Sequence, residues 1–146
     1  NIFVAGFIGM PQMNFFDAQL IADGGHYSVK VLDATMELAP EIEAKLKAAG
    51  VGSKAVTLGI RPEHISFSGE NGPHCLTGKV DVSEMMGSAV HLHVTSQGKD
   101  VIIIVQTMDL RGPNHISLTT GQKIAFTFGG NVVHLFDRES GKNLEA

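Results

Sequence analysis

The chain has 146 residues, 43% hydrophobic and 18% charged, a balance that excludes wholesale disorder and suits one packed domain or two very small lobes sharing a core. Eleven basic against fifteen acidic residues leave a formal net charge of −4 with no basic block, so the electrostatic footprint of a nucleic-acid binder is missing. The single cysteine, Cys75, excludes an internal disulfide framework and cannot by itself supply a thiolate metal site, which fits a reducing, cytoplasmic compartment.

The chain opens on Asn1 with "NIFVAGFIG", which lacks the charged start and cleavage site of a signal peptide and reads as a piece cut from a longer protein. Ile2, Phe3, Phe7 and Ile8 fall at mostly helical spacing behind Asn1, predicting the last turns of a helix that enters from upstream. Gly9 and Pro11 break that pattern. "FFDAQLIADGGHYSVKVLD" then predicts two strands joined at Asp23-Gly24-Gly25, where positive φ is needed.

Pro40 opens "PEIEAKLKAAG", in which Ile42 and Leu46 share a face, Glu43 faces Lys47 and Gly50 stands where a helix would stop. Six further runs follow, "AVTLGI", "CLTGKVDVSEMM", "AVHLHVTS", "DVIIIVQT", "KIAFTFG" and "NVVHLFD", each alternating or β-branched and bounded by turn residues. Short strands at this spacing predict a barrel or sandwich. The run "VIIIV", residues 101–105, is far shorter than the roughly 20 residues that span a bilayer. Its consecutive β-branched residues predict a central strand around Ile102 to Ile104.

The usual enzyme signatures are absent: no phosphate-wrapping G-x-x-x-x-G-K-[ST], no G-x-G-x-x-G, no G-x-S-x-G and no H-E-x-x-H. His91 and His93 lie two apart on one strand face and could share a metal, but no third ligand sits at a short spacing, so a polar strand face is the favoured reading. Cys75 follows His74, yet neighbours on a strand point to opposite faces, which argues against a nucleophile with its base. Met85-Met86 before Gly87 reads as core filling rather than a binding surface. Arg61, Glu63 and His64 look like a catalytic cluster, but Pro62 fixes φ and biases Arg61 to an extended conformation, which favours a salt bridge or interface role.

Four stretches carry a specific likeness: "FVAGFIGMPQMNFF" (3–16), "LGIRPEHI" (58–65), "GKVDVSEMMGS" (78–88) and "HLFDRESGKNL" (134–144). In this order and spacing, the chain resembles the C-terminal regulatory region of ATP-binding subunits of carbohydrate ABC importers, of the maltose and glycerol-3-phosphate type. The resemblance covers essentially the whole chain. It implies a mainly β fold, an OB-like barrel or two intimately linked OB-like lobes (the transport-associated OB domain), with one short helix near 40–50 and a helix remnant at the N-terminus. It implies a regulatory and dimerisation domain over residues 1–146 with no active site, cofactor or metal of its own. ATP and magnesium would belong to a nucleotide-binding domain outside this chain.

The partners implied are a second copy, that nucleotide-binding domain, membrane permease subunits and a regulatory protein, with the assembly peripheral at the inner face of the cell membrane. By position, Phe3, Gly6, Phe7, Gly9, Pro11, Met13 and Asn14 would form the junction with the nucleotide domain and the first strand's start. Gly59, Arg61, Pro62, Glu63 and His64 would be the signature strand end. Gly78, Glu84 and Gly87 would mark a strand and its turn, and His134, Phe136, Asp137 and Gly141 the closing strand. Arg61, Glu63, His64 and Glu84 are the residues expected to make subunit or regulatory contacts. Ala89, Met86 and the turn Phe128-Gly129-Gly130-Asn131 depart from the common pattern. The alternative is a small-ligand module of the oxyanion type, like OB-like domains that bind molybdate.

Overall fold

The structure, a computed structural model, describes residues 12–68, 74–110 and 119–145. The helix expected at residues 2–8, and with it Phe3, Gly6, Phe7, Gly9 and Pro11, lies outside the described residues. Ten strands and one α-helix are found among them. They are β1 (Asn14–Asp23), β2 (His26–Val31), β3 (Ala34–Glu37), α1 (Pro40–Ala48), β4 (Lys54–Ile60), β5 (Ser66–Ser68), β6 (Leu76–Met86), β7 (Ala89–Ser96), β8 (Lys99–Gln106), β9 (Lys123–Thr127) and β10 (His134–Asp137). Two antiparallel five-stranded sheets result, one ordered β10-β4-β1-β2-β3 and the other β5-β9-β6-β7-β8. This is the mainly β, OB-like architecture that the sequence predicts.

Alternation decides which face each strand buries. Asn14, Phe16, Ala18 and Leu20 of β1 and Val90, Leu92, Val94 and Ser96 of β7 turn inward, while the residues between them stay wetter. Both sheets feed one core in which Leu20, Leu58, Leu92 and Leu135 are fully buried; each such side chain stabilises the fold by about 1.5–3 kcal/mol relative to exposure. The β1–β2 hairpin turns at Gly24 (φ 58) and Gly25 (φ 87), between the paired Asp23 and His26. That is the positive-φ two-residue turn expected there.

Helix α1 begins at Pro40, carries Glu41 and Glu43 in its first turn and Lys45 and Lys47 in its last, and buries Ile42 and Leu46. It stops at Gly50 (φ 67), where the Gly50 and Val51 N–H groups donate to the Lys47 and Leu46 carbonyls, both at 3.0 Å. Glu43 does not serve a helix-surface pair with Lys47. Its Oε2 accepts from the Tyr27 backbone N–H at 2.6 Å, tying α1 to β2.

Three expectations change. Strand β3 had no sequence signal because it is four residues long and is entered through Leu32, a non-glycine residue at φ 54. β5 is shorter still. Most important, β8 is not central: among the described strands it pairs only with β7 and forms an edge of the second sheet. Val101, Ile103 and Val105 are buried while Ile102 and Ile104 are intermediate, so the β-branched run records face burial and not the presence of neighbours on both sides.

Candidate functional site

Strand β4 ends at the fully buried Ile60, one residue after Gly59. A methyl group on Gly59 would stand 3.0 Å from Met13 Sδ, 3.2 Å from Phe15 Cε1 and 3.3 Å from Phe136 Cε2. Any larger residue would press on the edge-on rings of Phe15 and Phe136, 6.3 Å apart at 67°, which close over the strand here. Arg61 follows in an extended conformation (φ −72, ψ 142), as the residue before a proline should be.

Pro62 to His64 then make one 3-10 turn, closed by the His64 N–H donating to the Arg61 carbonyl at 3.0 Å. Pro62 and Ile65 are buried, Arg61 is half-buried, and Glu63 and His64 are exposed. Among the described residues, none of the three polar side chains makes a hydrogen bond or ion pair. Of the salt bridge or interface role expected of Arg61 and Glu63, no salt bridge is formed among the described residues. The turn displays an arginine, a carboxylate and an imidazole on a rigid apolar footing.

Asn14 supplies part of that footing. Its Nδ2 donates to the Ile102 carbonyl at 2.9 Å and toward the Ile60 carbonyl at 3.4 Å, while its Oδ1 accepts from the Ile102 N–H at 2.8 Å. The closing strand arrives beside it, with His134 in register with Gly59 and Phe136 with Thr57. Three distant stretches, at Asn14, at Gly59–Pro62 and at His134–Asp137, therefore meet across the adjacent strands β1, β4 and β10.

Asp137 accepts from Lys54 Nζ at 2.7 Å and from the Ser140 hydroxyl at 2.7 Å and backbone N–H at 3.1 Å. The Lys54 hydrogen bond, helped by those from Ser140, pulls its carboxyl down to about 2. Arg138 donates through Nη2 to the Val56 carbonyl at 3.0 Å and the Ala18 carbonyl at 3.3 Å. Glu145 is buried, with Oε1 3.0 Å from His134 Nδ1 and Oε2 without a partner among the described residues. Burial pushes its carboxyl up from the ordinary range against the opposing pull of His134. Sequence reading missed both the Glu145 contact and the Asn14 bond, since neither has a local signature.

Glu84 and Gly87 lie elsewhere, on the β6–β7 hairpin of the second sheet, with Gly87 at φ 72 in its turn. Glu84 Oε1 is 2.5 Å from Nε2 of His93, and a cavity of about 410 Å³ is lined there by Asp81, Val82, Glu84, His93, Asp100 and Ile102 among others. His91 and His93 do share a face of β7, and no three His, Cys, Asp or Glu side chains among the described residues come together as metal ligands. His74 turns Nδ1 to the Thr35 carbonyl at 2.5 Å. Met85 and Met86 do not fill the core: they are 69% and 52% exposed, because their end of the hairpin extends past the packed sheet.

Residues 9–65 match the model of the MalK OB fold domain, and residues 58–136 match that of the TOBE domain. The chain belongs to the TOBE domain family. Its two matches overlap at 58–65, the "LGIRPEHI" stretch. Similar proteins include the sn-glycerol-3-phosphate import ATP-binding protein UgpC of Ruegeria pomeroyi, 35% identical over 97% of this chain and 34% of that protein. They also include the lactose transport ATP-binding protein LacK of Rhizobium radiobacter, 34% identical over 99% of this chain and 38% of that protein. The multiple sugar-binding transport ATP-binding protein MsmK of Streptococcus mutans is 35% identical over 96% and 36%. This TOBE chain thus spans about a third of the length of these relatives.

Among solved structures, the molybdate-bound cytoplasmic protein ModG shares the fold, with a TM-score of 0.61 and 16% identity over 84% of this chain and 94% of that one. The likeness is one of architecture. No helix among the described residues of this TOBE chain is long and apolar enough to cross a membrane.

Proposed function

We propose that the chain is the regulatory and dimerisation region of the ATP-binding subunit of a solute importer, one that carries a sugar or glycerol-3-phosphate. The observation that carries this reading is the match of nearly the whole chain to importer ATP-binding proteins about three times as long. In this reading residues 1–146 form the regulatory domain, and ATP with magnesium is bound and hydrolysed in a separate nucleotide-binding domain. The whole subunit sits at the inner membrane face against permease subunits. The region itself catalyses nothing.

The geometry supports a contact role. Among the described residues Arg61, Glu63 and His64 have no side-chain partner, and the buried Pro62 and Ile65 fix the backbone that carries them. Polar side chains displayed from a fixed backbone turn are suited to pair across an interface, since only the side chains themselves have to be ordered. A lasting contact through this domain would keep two ATPase subunits at high effective concentration between turnovers.

Sedimentation of the full-length subunit with and without ATP tests the reading. A dimer weakened by Arg61→Ala or Glu63→Ala is the expected result, and a subunit that stays monomeric with ATP would count against it. Thermal unfolding with molybdate and tungstate separates the alternative, because a ligand bound only by the folded state raises the transition temperature. A clear oxyanion shift would transfer the reading to a small-ligand module.

A further inference from the structure

The two sheets also meet at a seam unrelated to the strand end at Arg61. There the end of β3, the residues leading into β6 and the end of β9 flank an open groove of about 260 Å³, lined among the described residues by Met36, Glu37, His74, Thr127, Phe128 and Gly130. Its shape is held by close backbone approach. The Ala39 N–H donates to the Gly130 carbonyl at 3.1 Å, and a methyl group at Gly130 would fall 2.0 Å from the Glu37 carbonyl oxygen. Only glycine lets that wall stand where it does.

The hydrogen bonds around the groove determine what its polar side chains have left to offer. A backbone carbonyl can only accept, so the contact between His74 Nδ1 and the Thr35 carbonyl places the proton of the neutral ring on Nδ1 and the lone pair on Nε2. Thr127 donates its hydroxyl hydrogen to the His74 carbonyl at 2.7 Å, leaving Oγ1 with acceptor capacity alone. Glu37, the remaining titratable residue among the described lining, has a carboxylate that is acceptor-only when ionised. Among the described residues no lysine or arginine lines the groove.

The geometry points to a binding site for a small organic cation with several N–H donors, an ammonium or guanidinium compound. Such a ligand supplies the donors that all three side chains lack, and its charge-assisted bond to Glu37 is stronger than a neutral hydroxyl could make. A bound cation would bridge β3 to β6 and β9, and so join the two sheets.

Titration calorimetry of the 146-residue chain with agmatine, which carries both groups, tests the site; glucose and inorganic phosphate serve as comparison probes. Saturable agmatine binding is expected, with no saturation by either comparison probe. Glu37→Gln, an exposed position whose substitution leaves the fold intact, should weaken agmatine roughly tenfold, and Thr127→Val should weaken it by a smaller factor. Failure of agmatine to bind, preferential binding of glucose or phosphate, or undiminished affinity in Glu37→Gln would each overturn the proposal.

Discussion

The side-chain amide of Asn14 pairs with the peptide group of Ile102 through two hydrogen bonds of 2.9 and 2.8 Å, across 88 residues of sequence. It occupies the place that a neighbouring strand would take on the open edge of β8. The same amide reaches the Ile60 carbonyl, so one buried side chain joins the start of the first sheet, the end of β4 and the edge of the second sheet. Truncating it to Asn14→Ala strands a donor and an acceptor and should cost about 2–3 kcal/mol. Urea unfolding monitored by circular dichroism measures this, and a loss under half a kcal/mol would show the pairing to be dispensable.

Gly130 provides a second, steric test. An added methyl group would collide with the Glu37 carbonyl oxygen, whereas at Gly52 it would meet nothing within 4 Å. Gly130→Ala is expected to destabilise by about 3 kcal/mol or to fail to fold, while Gly52→Ala stays within about half a kcal/mol of the parent. Thermal melts of the two variants side by side decide it.

Asp137 makes the fold acid-sensitive in a defined window. Its carboxyl is depressed from 3.8 to about 2 by the Lys54 hydrogen bond and then those from Ser140. Its contribution to stability is therefore full above the unfolded value near 4 and is lost as the pH falls through about 2. Asp137→Asn should flatten the stability profile between those values, and an unchanged acid limb would assign the sensitivity to other groups.

Glu145 works in the opposite direction. Burial raises its carboxyl in the folded state, so the folded chain holds that proton more tightly than the unfolded one. Stability from this group therefore grows as the pH falls from the raised value toward the ordinary one, and is lowest where Glu145 is ionised. Glu145→Gln, which can still bond His134, should melt higher than the parent at pH 7.5 and lose that advantage toward pH 4.5. A lower melting point at pH 7.5 would mean that the His134 contact outweighs the cost of burial.

At the strand end, Arg61→Ala and Glu63→Ala should each change stability by no more than about half a kcal/mol, since neither side chain has a partner among the described residues. A large loss on urea unfolding would reveal a structural role instead of a displayed one.

Period-two alternation from Phe16 to Leu20 and from Val90 to Val94, the Asp23-Gly24-Gly25 turn and the Pro40-to-Gly50 helix were all legible in the sequence. Each depends on interactions between residues close along the chain. The "LGIRPEHI" stretch likewise announced both the family and a stiff strand end. The edge position of β8, the exposure of Met85 and Met86, the missing Arg61–Glu63 bridge and the Glu145 burial were not legible. A side-chain pattern reports which face of a strand is covered, but not whether another strand lies beside it or where a hairpin outruns its sheet. Those outcomes depend on contacts between residues tens of positions apart, such as Asn14 with Ile102 and His134 with Gly59. Local chemistry thus determined the elements, the turns and the kinship of this protein, while only tertiary packing decided which strands are edges and which polar groups remain to meet a partner.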